Sequence, residues 1–215
     1  LILYVNGDSH SCGHDAGGID FSYGKHLANS LDATLVCAAR SGCSNARIIR
    51  TTNEYLLNTT PDFIIIGWST WEREEWLYKD KYYNVNSAGS DILPESLVQQ
   101  YKTWVIEEAP KYVEHDINSH QRIWEFHLSL NEQKIPHLFF NCYTHFAHTP
   151  KKLNWNNNYI EPYSKEFTYY HWLESQGFKP SNPEYYHYGA DAHKAWAAFL
   201  LPHLTNTLKE STLTK

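Results

Sequence analysis

Short apolar runs recur along the chain, separated by stretches whose apolar positions repeat every three to four residues. LILYVNG (1–7), TLVCAA (34–39), DFIIIGWS (62–69) and HLFFNCY (137–143) each have the length and apolar density of a buried strand. Between the first two lies a helical stretch at 20–31. SNARIIRTTNEYLL (44–57) follows the second, with Ile48, Ile49, Tyr55 and Leu56 on one face and Ser44 placed as N-cap. Leu97, Val98, Tyr101, Trp104 and Val105 form a helical stripe that Pro110 ends. Val113, Ile117, Trp124 and Leu128 mark the face of a further helix. A short helix is expected at 164–176, and a last one carries Trp196, Phe199, Leu200 and Leu204 with a kink at Pro202.

Strands alternating with helices imply a parallel sheet covered on both faces. The fold class predicted is therefore α/β: a single three-layer α/β/α domain over 1–215 with a central parallel sheet. The polar, aromatic stretch at about 71–93 is read as a long loop or hairpin insertion. Ligands of such sheets sit at the carboxyl ends of the strands near the switch point. The loops after residues 7, 39, 67 and 143 should share that rim.

Composition narrows the function. The 215 residues are 42% hydrophobic and 20% charged, ordinary for a globular chain, but the aromatic share of 15% is high enough to line a surface groove. A net charge of −6 without any Lys/Arg run argues against a nucleic-acid partner. FIIIGW, the longest apolar stretch, is too short to span a bilayer, and no signal-peptide pattern is visible, so no membrane association is expected. Cys12, Cys37, Cys43 and Cys142 form no CxxC pair, and Cys37 and Cys142 fall within strands, which fits reduced thiols and a cytoplasmic setting. His10, Cys12 and His14 alternate and His145 and His148 form HxxH, but neither has the spacing of a structural zinc site. No metal and no cofactor are expected.

Each rim loop carries a chemical block: Gly7-Asp8-Ser9, then Ser41-Gly42-Cys43-Ser44-Asn45, then Gly67-Trp68-Ser69, with Glu184-Tyr185-Tyr186-His187 before the last helix. Together and in this order they resemble the SGNH/GDSL hydrolase superfamily, in particular its divergent bacteriophage members, for which the cytoplasm would be the host's. The resemblance spans the chain in element order, although the matching motifs are short. It implies a serine esterase or acetylesterase of flavodoxin-like fold with Ser9 as nucleophile, His187 as general base and Glu184, where the family has Asp, orienting the imidazole. A carboxylate of either length can hold that tautomer.

The resemblance also implies an oxyanion hole formed by the backbone N–H groups of Ser9 and Gly42. The family's third block carries an Asn donor, where this chain has Ser69, with Arg73 as the competing candidate. Losing one such donor costs about 3–4 kcal/mol of transition-state stabilisation. Independently of any family, serine needs a base to attack at neutral pH, and histidine has the suitable pKa. Asp191 and His193 offer a competing pair, but His193 falls inside the last helix and is read as structural. Trp68, Trp71, Tyr185 and Tyr186 are candidates to stack on a sugar ring, and Arg73, Glu72 and Asn45 to touch substrate. The expected ligand is thus a small-molecule or carbohydrate ester. Two rivals remain at this level: a binding module of the same fold that lost its chemistry, and a nucleotide or flavin binder, which Asp8 and Asp15 disfavour by repelling phosphate.

Overall fold

The computed structural model describes residues 1–213 except Pro183 and Tyr185, with side chains through Thr207. In chain order the elements are β1 (Ile2–Gly7), α1 (Tyr23–Ser30), β2 (Thr34–Cys37), α2 (Asn45–Leu56), β3 (Phe63–Trp68), β4 (Glu74–Tyr78), β5 (Lys81–Asn86) and β6 (Gly89–Ser90). They continue with α3 (Glu95–Glu107), α4 (Tyr112–Glu132), β7 (His137–Asn141), α5 (Tyr169–Ser175) and α6 (Ala190–Leu213). Ser22, Ser44 and Thr168 cap α1, α2 and α5 by accepting from the backbone N–H three residues on.

The central sheet has the order β2-β1-β3-β7, and all its pairings are parallel. Strand side chains alternate between two cores, as the period of two requires. Leu3, Val5, Phe63, Ile65, Leu138 and Phe140 join the core holding residues of α1, α5 and α6. Tyr4, Ile64, Ile66, Trp68 and Phe139 face the other, with Ile48 of α2 and Ile123, Phe126 and Leu130 of α4. This is the three-layer α/β/α arrangement expected. The chain steps from β1 out to β2 and then back across to β3, so the switch point lies at the carboxyl ends of β1 and β3.

Three features extend or revise the pattern-based expectation. The 71–93 stretch forms a separate antiparallel sheet, β4-β5-β6, with a small core of its own in which Val85 meets Trp104 and Ala109. Helix α6 runs through Pro202, whose missing N–H leaves the carbonyl of Ala198 without its helical donor. The buried face of α4 is not the apolar stripe: Val113, Ile117 and Leu128 are exposed, whereas Asp116, Ser119, His120, Ile123, Phe126, His127 and Leu130 are buried. The polar members of that face have specific partners in distant segments. His137 Nδ1 donates to the carbonyl of Ile135 (2.8 Å), His127 Nδ1 donates to His137 Nε2 (2.8 Å), and Asn131 Nδ2 donates to His127 Nε2 (2.9 Å). Only neutral rings satisfy this relay.

Burial holds His127 at about 4 and His137 and His193 at about 3, below the ordinary histidine value. A depressed histidine pKa means that the unfolded chain takes up protons below pH ~6.5 that the folded chain refuses. Each such group removes on the order of 1 kcal/mol of stability per pH unit. Urea midpoints are therefore expected to stay level above pH ~6.5 and to fall steeply from there to pH ~5. A flat profile across that window would show that these rings accept protons without unfolding.

Among the described residues no helix is long and apolar enough to cross a membrane. All four cysteines are free thiols.

Candidate active site

The turn after β1 is tied at almost every polar atom. The Asp8 carbonyl accepts from the N–H groups of Ser11 (3.0 Å) and Cys12 (3.2 Å), and Asp8 Oδ1 accepts from His10 N–H (3.0 Å). Its other oxygen, Oδ2, accepts from Ser69 Oγ (3.1 Å) and from Arg73 Nη1 (3.3 Å). The Asp8 side chain is 2% exposed, so the guanidinium of Arg73 is the charge that compensates it. Gly7 is required here by space: a Cβ would lie 2.1 Å from Ser11 Oγ and 2.7 Å from the carbonyl of Gly67. Ser11 Oγ in turn accepts from Tyr23 OH of α1 (2.9 Å). The turn that carries Ser9 is thus locked against both β3 and α1.

The loop at 181–187 brings His187 to this turn. The His187 carbonyl accepts from Ser181 N–H (2.8 Å) and Ser181 Oγ (3.1 Å), which fixes its backbone. Its ring lies 5.3 Å from that of His10, the residue after Ser9, and 4.9 Å from that of His14. His187 Nδ1 donates to Asp15 Oδ2 at 2.8 Å. This bond also lowers the pKa of Asp15, keeping the carboxylate charged. Asp15 sits at φ 60°, a left-handed conformation that Asp and Asn tolerate better than other side chains.

Among the described residues, the carboxylate bonded to the imidazole is Asp15, and no ion pair joins His187 to the expected Glu184. Glu184 is exposed, and its backbone N–H donates to Asn182 Oδ1 (3.1 Å). Sequence spacing gave no warning, because Asp15 lies 172 positions from His187. Burial holds His10 neutral, with a pKa of about 4, and His10 Nδ1 has no hydrogen-bond partner among the described residues. His193 is a structural group: Nδ1 accepts from the N–H of Tyr23, and Nε2–H reaches Tyr169 OH, both at 3.2 Å.

The remaining expected site residues divide by what they touch. Among the described residues, the N–H groups of Ser9 and Gly42 donate to no acceptor, and Gly42 turns at φ 71° with open space where a side chain would stand. Ser69 is fully buried and already committed: its hydroxyl gives its single proton to Asp8, and its N–H donates to Asn45 Oδ1 (2.9 Å). Asn45 Nδ2 returns a bond to the Ser69 carbonyl (3.1 Å), so Asn45 clamps the β3 end. Trp68 is fully buried, edge-on to Phe126 and Phe139, and is a core residue with no face for a ligand. Trp71 stacks flat on Phe146 at 4.7 Å.

A cavity of about 330 Å³ opens on the same rim, lined by Trp71, Glu72, Tyr112, Tyr143, His145 and His171 among others. Tyr143, which follows β7, also packs 6.0 Å from Tyr186, the neighbour of His187. The cavity therefore adjoins the histidine loop. Tyr185 lies outside the described residues.

Four parallel strands between helical layers, with the Gly7-Asp8-Ser9 turn after the first strand, give the chain a fold like that of SGNH hydrolases. No family model and no curated protein matches the sequence. Solved structures do. The chain aligns with TesA at a TM-score of 0.53 and 14% identity, over 98% of this chain and 99% of that one. With the psychrotrophic esterase EstA from Pseudoalteromonas sp., solved inhibited by monoethylphosphonate, the TM-score is 0.50 at 9% identity, covering 100% and 99%. CEX, a two-domain esterase active on acetylated mannans, gives 0.51 at 15% identity; 98% of this chain covers 50% of that one. At these identities the likeness is one of fold.

Proposed function

We propose that the protein is an SGNH-type serine hydrolase acting on an ester, with acetyl esters of small or carbohydrate molecules as the substrate class. Ser9 is the nucleophile, His187 the general base and acid, and Asp15 the carboxylate that holds the imidazole tautomer. With its proton kept on Nδ1 by Asp15, His187 presents Nε2 as acceptor to the serine hydroxyl. Attack of Ser9 Oγ on the carbonyl moves the hydroxyl proton to Nε2, which then gives it to the leaving alcohol. Water repeats the sequence to release the acid. The N–H groups of Ser9 and Gly42 receive the oxyanion, and the adjoining cavity, with the faces of Tyr112 and Tyr143, takes the alcohol part of the substrate. The observation that carries this reading is the 2.8 Å bond between His187 Nδ1 and Asp15 at the turn holding Ser9.

A fluorophosphonate probe followed by peptide mapping tests it. One covalent adduct is expected, on Ser9, with loss of aryl-acetate hydrolysis in proportion to labelling. The rival of a silent binding module draws on the commitment of Ser69 to Asp8, which leaves the family's third oxyanion donor unfilled from that position. No labelling and no turnover would decide for it.

Arg73 is the remaining candidate for the third donor, since its guanidinium has five N–H donors and, among the described residues, one bond, to Asp8. Arg73→Lys keeps the cation opposite Asp8 but loses the fork. We expect kcat to fall about tenfold or more with KM and melting temperature nearly unchanged, since an oxyanion donor acts chiefly in the transition state. Ser69→Ala should cost less activity than this. The reverse order would return the role to Ser69.

A further inference from the structure

The rim of the proposed active site also holds three metal-ligating side chains, one of which the proposed hydrolysis does not need. His14, Asp15 and His187 each offer a ligand atom, and these atoms all lie within 4.8 Å of one another. His14 Nε2 is 3.9 Å from Asp15 Oδ1, and His187 Nδ1 is 2.8 Å from Asp15 Oδ2. Two imidazoles and a carboxylate are a donor set suited to zinc. Tetrahedral zinc with bonds near 2.1 Å places its donors about 3.4 Å apart, so little movement is required. The most distant side chain is also the most exposed: the His14 ring is 51% exposed and, among the described residues, its one polar contact is that with Asp15. Of the three, only Asp15 and His187 have a part in the proposed reaction. His14 has none.

We infer that His14, Asp15 and His187 form a zinc site whose occupation switches the proposed hydrolase off. The inference rests on the catalytic roles proposed above for His187 and Asp15. Zinc bound to His187 Nδ1 occupies the lone pair of that nitrogen, so the single proton of the neutral ring moves from Nδ1 to Nε2. No proton is gained or lost by the ring. Nε2 then donates instead of accepting and has no lone pair to receive the Ser9 proton. Asp15 turns from partner of the Nδ1 proton to ligand of the metal. A water molecule completes the four-coordinate shell on the solvent side, where His14 is open.

Titration calorimetry with zinc chloride, run beside aryl-acetate hydrolysis, tests the site. The wild type should bind one zinc per chain, and hydrolysis should fall in step with occupancy and return on adding a chelator. His14→Ala should bind zinc at least about tenfold more weakly, with inhibition, scaled to its own zinc-free rate, shifted by the same factor. No binding by the wild type, equal affinity in His14→Ala, or faster hydrolysis with zinc would each overturn the inference. Calorimetry separates this from failure of the hydrolase reading: a chain that binds zinc through His14 but never turns over keeps the site and loses the esterase.

Discussion

Ser9→Ala is expected to abolish both hydrolysis of short-chain aryl esters and fluorophosphonate labelling while the melting temperature stays within a degree or two of wild type. Both halves follow from the turn. Among the described residues, the Ser9 hydroxyl takes part in none of the bonds that lock residues 7–12; those run through the Asp8 carboxylate and carbonyl, Ser11 Oγ and the backbone of Ser9 itself. Removing one nearly buried hydroxyl therefore takes away little packing. Chemically it removes the atom proposed to carry the acyl group, and what would survive is the residual effect of the proposed oxyanion donors, some 10³–10⁴ above water where a triad is disabled. Measured rates for purified Ser9→Ala equal to wild type would move the nucleophile elsewhere, and retained probe labelling would show where to look.

Asp15→Asn is expected to lower kcat by about three to four orders of magnitude, and Glu184→Gln by less than about threefold. Asn fills the same volume and accepts the φ of 60° at this position, so the fold is kept. Its amide, however, can offer an N–H to the ring, which favours the tautomer with the proton on Nε2 and disables the base. Asp15 is 30% exposed at the side chain, so its loss should be felt in catalysis far more than in stability. Glu184 has no such leverage: it is exposed, and its backbone, not its carboxylate, makes the bond to Asn182. Kinetics of the two variants side by side give the answer. A large loss in Glu184→Gln with none in Asp15→Asn would restore the ExxH reading.

Much of the scaffold was readable because strands buried on both faces leave unbroken apolar runs. The four runs at 1–7, 34–39, 62–69 and 137–143 became β1, β2, β3 and β7 with ends displaced by no more than two residues. The hairpin at 71–93 was half-legible, since a polar, aromatic stretch allows a loop or a hairpin but does not say that its strands stand apart from the main sheet. The face of α4 misled. Periodicity counts apolar residues, whereas this helix buries Asp116, His120 and His127 against acceptors and donors that arrive from residues 137–163. Trp68 misled for a related reason: although it stands beside a rim block, its side chain lies wholly in the core.

What the sequence alone determined, then, was the order of strands and helices, the parallel sheet, and the placing of Ser9, Gly42 and Ser69 at strand ends, because these depend on local periodicity and chain order. Tertiary structure alone decided the partners. Asp15 meets His187 across 172 positions, Ser69 spends its hydroxyl on Asp8, and His187 joins His14 and Asp15 in the inferred metal-ligand set. Hydrogen bonds and ion pairs act over about 3 Å in space, and no spacing in the chain encodes which polar groups folding will bring that close.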